Sequence, residues 1–341
     1  MDNSLAIHPD KFAGSTTERY FDIGSMRSFA SNGNEYQFQC AGGAVSIVFY
    51  DETTVRVVMN PFGDPDLSSN RHVLVREPQL VSTELLEEDD TILIRSARLT
   101  VTVRKNPLRL SFIDELTGRK LLAEGERGMM YTAKGQVVSF KELAKQDRFY
   151  GFGEKAGFLE KRGERMTMWN TDVYAPHNPE TDPLYVSIPF YMTLRDGQAF
   201  GLFFFNTFKS VFNLTGEKDY YFGAEGGQLD YFVFAGPTPK EVTAQYTALT
   251  GRAPLPPKWV LGYHQSRYSY ESEEEVRQLV NQFRDKQIPL SAIYLDIHYM
   301  NGYRVFTFDK NRFPDPEADS GAERAGYPRR ADRRSGSQVR S

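Results

Sequence analysis

One cysteine, Cys40, stands in 341 residues. A lone thiol excludes an intrachain disulfide and any cysteine-based metal site, and it fits a reducing compartment, so the expected location is cytoplasmic. Long apolar runs are missing as well. None approaches the roughly 20 residues that a membrane-crossing helix needs, and the opening MDNSLAIHPD carries no basic-plus-apolar leader, so no membrane partner is expected. Nor is there an excess of positive charge. Lys and Arg number 41 against 45 Asp and Glu, a net charge of −4, which argues against a nucleic-acid partner held by phosphate neutralisation. Gly151-Phe152-Gly153 lacks the third glycine and the following helix of a phosphate-binding loop.

What is present is a folded composition. Hydrophobic residues make up 40% and charged ones 25%, enough apolar material to enclose a core. At roughly 100–200 residues per domain, the length predicts about two domains. The first two-thirds reads as β structure: short apolar or alternating runs fall at 44–50, 53–59, 91–95, 99–103, 108–113, 200–205, 220–222 and 229–234. Strict alternation in Thr100-Val101-Thr102-Val103 marks a strand with one buried face. Many short strands between Gly and Asn turns predict a sandwich.

Near residue 238 the pattern changes. Thr238-Pro239-Lys240-Glu241 is a capping box with proline at the first helical position, Val242, Tyr246 and Leu249 form an apolar stripe, and Gly251 is placed to end the helix. Arg252-Ala253-Pro254-Leu255-Pro256-Pro257 then reads as a boundary. Beyond it the sequence predicts a strand over 259–264, a helix opened by a Ser272/Glu275 capping box, and a buried strand over 288–297. Strand, helix, strand within about forty residues is a βαβ unit, the beginning of a parallel sheet or barrel.

Five strings, taken in order, resemble glycoside hydrolase family 31, the family of α-glucosidases and α-xylosidases. They are Tyr150-Gly151-Phe152-Gly153-Glu154-Lys155, Met168-Trp169-Asn170-Thr171-Asp172, the boundary Pro254-Leu255-Pro256-Pro257-Lys258-Trp259-Val260-Leu261-Gly262 with Ser266-Arg267-Tyr268-Ser269-Tyr270, then Ala292-Ile293-Tyr294-Leu295-Asp296-Ile297-His298-Tyr299-Met300, and Phe306-Thr307-Phe308-Asp309. The resemblance covers most of residues 35–317. It implies a multidomain chain: an N-terminal all-β, galactose-mutarotase-like sandwich over 1–250, then the first strands and helix of an incomplete (β/α)8 TIM barrel over 251–317.

The resemblance also implies roles. Asp296 would hydrogen-bond a hydroxyl of the sugar on the non-reducing side of the cut, Tyr268 and Ile297 would line the same subsite, and Asp172 would reach it from a sandwich loop. A carboxylate suits this work, because it only accepts and can take two hydroxyl donors at once. An aromatic ring offers its apolar face to sugar C–H groups. Judged without the resemblance, Asp296 equally fits a helix cap or an arginine partner, and Asp172 a turn residue. His298 stands where many relatives have a second aspartate. The acidic stretch at 84–90 reads as a solvated loop.

A retaining glycosidase uses two carboxyl groups about 5–5.5 Å apart. In family 31 both are aspartates on later barrel strands, beyond Asp296, so no catalytic residue is assigned in this sequence. The tail at 318–341 departs from everything before it: six arginines stand against Asp319, Glu323 and Asp332, with no Leu, Ile, Phe, Met or Trp. Back-translated with degenerate codons and read one base on, it permits LIRELSEQGIRVVPIVDPGVKYD, which resembles the next helix and strand of the barrel. The expectation is a shift of reading frame near codon 317 and an aberrant, disordered tail over 318–341.

The expected function is therefore that of the N-terminal part of a retaining, exo-acting α-glucosidase. Its partner would be an oligosaccharide or α-glucoside substrate, and it would need no metal or organic cofactor. A non-catalytic carbohydrate-binding sandwich is the alternative. An aldose-1-epimerase-like enzyme ranks last, since it would need a His and a Glu base in one groove and the sequence pairs neither His72 nor His177 with a carboxylate.

Overall fold

The computed structural model describes residues 19–68, 71–314 and 338–339. The chain divides into two compact units, Met1–Arg252 and Ala253–Ser341. Among the described residues no helix is long and apolar enough to cross a membrane.

Among the described residues the first unit is a β-sandwich of antiparallel sheets with eight, six and five strands. Its organisation follows from side-chain alternation. Along the strand Leu229–Phe234, Leu229, Tyr231 and Val233 enter one core while Phe232 and Phe234 enter a second. The first core lies between sheets: Val45, Ile47 and Phe49 come from the eight-stranded sheet, Val137 and Phe222 from the six-stranded one, and Val101 and Phe112 from the five-stranded one. The second core lies on the other face of the eight-stranded sheet, beneath the helix Pro239–Thr250. That helix buries Val242 and Leu249 and stacks Tyr246 on Phe190 with ring centroids 4.0 Å apart. Both faces of the central strands are therefore covered, which is why their sequence reads as continuous apolar runs rather than as simple alternation.

The helix begins as its sequence dictates. The Thr238 hydroxyl accepts from the Glu241 amide at 3.2 Å, the Thr238 amide donates back to the Glu241 carboxylate at 3.1 Å, and Pro239 occupies the first turn. Gly251 closes it at φ +97°.

In the second unit a short strand, His264–Gln265, pairs in parallel with Ala292–Tyr294 through His264↔Ala292 and Gln265↔Ile293. The helix Glu273–Asp285 joins them. This is the βαβ unit expected of a barrel opening, with both strands shorter than their sequence predicts. Residues Lys258–Leu261 form a 3-10 turn instead of strand, because the amides after Pro257 bond locally, Val260 to the Pro257 carbonyl and Gly262 to that of Trp259. The second strand starts late, since Ile288 still closes the helix end on Phe283 and Pro289 has no amide to give. It stops early because Asp296 turns to φ +61°. Tyr270, Val276, Ile293, Leu295, Tyr299 and Phe313 form this unit's core. The Ser272 hydroxyl caps the helix on the Glu275 amide, but the return half of the capping box is missing: the Glu275 carboxylate takes the Glu271 amide instead.

Gln338–Val339 pairs antiparallel with the outer side of Ala292–Tyr294. The rest of the 318–341 tail, on which the reading-frame expectation falls, lies outside the described residues.

Candidate functional site

Asp172 sits on the loop that leaves the strand Arg165–Met168 and returns to Ser187–Arg195. Its side chain is exposed and has no hydrogen bond or ion pair among the described residues. The loop around it is well tied. At its base the buried Lys155 ammonium reaches the Asp182 carboxylate at 2.8 Å and the Thr167 carbonyl at 2.5 Å, while the other Asp182 oxygen accepts the Thr167 amide at 2.6 Å. Lys155 thereby links the string 150–155 to the one at 168–172. Higher up, the Asn170 side chain accepts from the Ser187 amide at 2.8 Å, and the Thr171 amide donates to the Leu184 carbonyl at 3.0 Å. On the far side of Asp172 the Val173 carbonyl accepts from His177 Nε2 at 3.0 Å and from the Tyr185 hydroxyl. Beside this loop opens a hollow of about 400 Å³, lined by Met168, Trp169, Asn170, Ser187, Phe205 and Phe208 among others.

Gly151 and Gly153 are structural. A Cβ on Gly151 would stand 2.6 Å from the Phe190 carbonyl oxygen, and one on Gly153 would stand 2.6 Å from the Val186 oxygen and the Ile188 nitrogen. They let two backbones close up across a bulge that brings Glu154 and Lys155 to the foot of the loop.

Asp296, Ile297 and Tyr268 belong to the second unit. Asp296 follows the parallel strand Ala292–Tyr294, at the end where barrel proteins place their working residues. Its left-handed φ is uncommon outside glycine, and Asp is among the residues that tolerate it. The carboxylate is exposed and, among the described residues, has neither hydrogen bond nor ion pair. It caps no helix: the 3-10 turn that follows, Asn301–Tyr303, has Met300 at its cap position. It takes no arginine either, since Arg267 is held by Glu275 and lies over the Tyr270 ring.

Tyr268 meets the same turn. Its ring lies 5.7 Å from the His298 ring, and the Ser269 hydroxyl contacts the Leu295 carbonyl at 3.5 Å. Tyr268 is 77% exposed, which leaves its face open. Ile297 is half-buried. His298 lies between Tyr268 and Tyr303, with Nδ1 3.6 Å from the Glu271 carboxylate, which also faces Arg312 at 3.9 Å. Arg312 in turn bonds Asp309 at 3.2 Å. The Asn311 amide holds the Asp309 carboxyl low, slight burial opposes this, and the Arg312 amide and guanidinium add to the lowering. The structure thus groups Tyr268, Asp296 and Ile297 around one turn, while Asp172 stands on its own tied loop in the other unit. No group of three or more His, Cys, Asp or Glu able to hold a metal occurs among the described residues.

His177 and Tyr185 carry no sequence pattern that reveals their meeting at Val173. Lys155 lies in a recognisable string, but its function of joining two strings needs the fold.

An antiparallel β-sandwich in one unit and the opening βαβ of a parallel barrel in the other define a chain of the sandwich-plus-barrel class. Residues 44–213 match the glycosyl hydrolase 31 N-terminal galactose mutarotase-like domain, and residues 253–322 match the TIM-barrel domain of glycosyl hydrolases family 31. The chain belongs to glycoside hydrolase family 31. It is 55% identical over 315 residues to alpha-glucosidase 2 of Bacillus thermoamyloliquefaciens, covering 92% of this chain and 40% of that protein. It is 34% identical over 215 residues to an alpha-glucosidase of Saccharolobus solfataricus, covering 62% of this chain and 30% of the relative. Among solved structures, a Flavobacterium johnsoniae GH31 dextranase complexed with glucose matches with a TM-score of 0.80 at 30% identity, over 87% of this chain and 37% of the dextranase. The chain thus spans two-fifths or less of the length of these relatives.

Proposed function

We propose that this chain supplies sugar-binding residues of a retaining glycoside hydrolase that cleaves terminal α-glucosidic bonds in oligosaccharides. The observation that carries the reading is Asp296, an exposed carboxylate at the C-terminal end of a parallel strand, engaged by nothing among the described residues and lying inside the segment that matches the family's TIM-barrel domain. Its oxygens accept two hydroxyls of a glucose ring. Tyr268 gives the ring an apolar face and Ile297 keeps water from that side; Asp172, on its own loop of the first unit, is a second carboxylate free to accept sugar hydroxyls. All four are binding residues. Nucleophile and acid/base are assigned to no residue of these 341, so binding without hydrolysis is the expected behaviour of this polypeptide. No metal or organic cofactor takes part in this scheme. The buried, lone Cys40 supports a cytoplasmic location.

The test is titration calorimetry of the 341-residue protein with maltose and isomaltose, beside turnover of a chromogenic α-glucoside. Asp296→Asn should weaken binding by roughly ten- to a hundredfold, the worth of a charge-assisted hydrogen bond. Equal affinity in the variant refutes the assignment. If only Asp172→Asn matters, the protein is a carbohydrate-binding sandwich; that reading is favoured by the separate core of the first unit.

A further inference from the structure

On the reading of Asp172 as a sugar-binding carboxylate, we propose that His177 and Tyr185 are positioning residues that fix it in place through the backbone of Val173. Both neighbours of Asp172 are pinned while its own side chain is left free. On one side the Thr171 amide donates to the Leu184 carbonyl at 3.0 Å. On the other the Val173 carbonyl, with its two lone pairs, accepts from both His177 Nε2 at 3.0 Å and the Tyr185 hydroxyl. The phenol oxygen lies 3.0 Å from the same imidazole nitrogen, so the three groups form a closed triangle. A carbonyl only accepts, so the proton of the imidazole sits on Nε2 in this arrangement. The two rings lie 5.6 Å apart, and the Asn178–Thr181 turn closes the tip of the loop above them.

The chemistry needs such a device. A carboxylate that recognises hydroxyls must stay acceptor-only, unpaired and in register, because each rotor frozen on binding costs affinity. A lysine or arginine partner would hold Asp172 still, but it would also occupy the oxygens that the sugar needs. Gripping the Thr171 amide and the Val173 carbonyl, each one peptide beyond those of Asp172, restrains its backbone from both sides and leaves both carboxylate oxygens free. His177 and Tyr185 are surface residues, so their removal leaves the sandwich core intact.

The experiment combines hydrogen exchange across residues 171–181 with calorimetric titration of maltose and isomaltose, on the full chain and four variants. Tyr185→Phe and His177→Ala should each speed exchange in the loop and weaken binding by roughly three- to tenfold, the worth of one neutral hydrogen bond. His177→Gln, which keeps a donor near the Nε2 position, should restore most of that loss, whereas a merely space-filling role would leave Tyr185→Phe, which keeps the ring and loses only the donor, at wild-type affinity. Asp172→Asn should lose binding with exchange unchanged. Wild-type exchange in Tyr185→Phe and His177→Ala, or faster exchange at unaltered affinity, overturns the proposal. A wild-type chain that binds no sugar, or an Asp172→Asn variant that binds as well as wild type, overturns the parent reading and the proposal together. Failure of the clamp alone looks different: wild type binds, Asp172→Asn does not, and Tyr185→Phe binds equally well.

Discussion

Arg56 and Asp230, 174 residues apart in sequence, form a two-pronged ion pair with N–O distances of 3.0 and 2.6 Å, both side chains 2% exposed. The Arg56 guanidinium also donates to the Leu67 carbonyl at 2.8 Å and lies near the Phe205 and Phe232 rings. The pair sits on the helix-covered face of the eight-stranded sheet. Asp230→Ala strands a buried cation and should cost about 3–5 kcal/mol, read as a lower urea midpoint of the first unit. Replacing both partners, as Arg56→Met with Asp230→Leu, should recover most of that loss. Equal destabilisation by the single and double variants would mean that packing, not charge, dominates.

Cys40 should be chemically silent while the sandwich is folded. Burial pushes its thiol up to about 12, the Asp22 charge adds to this, and Arg27 opposes it. Iodoacetamide at pH 8 should label the native chain slowly and the urea-unfolded chain fast. The pH dependence has a definite sign. The folded thiol holds its proton more tightly than the unfolded one, whose pKa is about 8.5. The stability this contributes is complete below about pH 8.5 and falls as pH rises toward 12, and Cys40→Ala should remove that segment of the stability–pH curve. Rapid native labelling at pH 8 would contradict the burial.

Gly153→Ala should damage the foot of the Asp172 loop. The added methyl meets two backbone atoms at 2.6 Å at a φ of +76°, so neither a side-chain rotation nor a small shift relieves it. A loss of roughly 1–3 kcal/mol is expected, together with faster exchange of the Thr171 amide. An unperturbed Thr171 amide would uncouple the bulge from the loop.

Limited proteolysis should cut first after Arg252. The helix Glu273–Asp285 fully buries only Val276, and among the described residues its unit packs around one small cluster of six buried side chains. The sandwich should survive as a fragment of about 29 kDa; cleavage at equal rates in both units would count against this.

Much of the sandwich is legible because apolar alternation and backbone pairing obey the same period. Residues 91–95 and 229–234 are strands over those very bounds. The strand Ser187–Arg195 is hidden by Pro189, which sequence logic treats as a breaker; it is tolerated where the register slips opposite Gly151 and Gly153. The predicted strand at 259–264 fails for the opposite reason: its apolar residues are real, but its amides find partners three residues back. Asp172 and Asp296 are recognisable only through the strings around them, since a lone aspartate has no period. The Val173 clamp is illegible altogether, because its acceptor is a backbone carbonyl and every residue has one.

The pairing of Thr54–Asn60 with Leu229–Phe234 sets a timetable for synthesis. The central strand of the largest sheet is made early, and one of its two neighbours only after most of the sandwich has been translated. Until residue 234 leaves the ribosome, Val55, Val57 and Met59 belong to an open edge. A nascent chain in that interval carries an apolar half-sheet with no partner, and sequence-distant pairing of this kind is slow to form. The sandwich is thus a fold that closes late, and its exposure to chaperones is written into strand order rather than into stability.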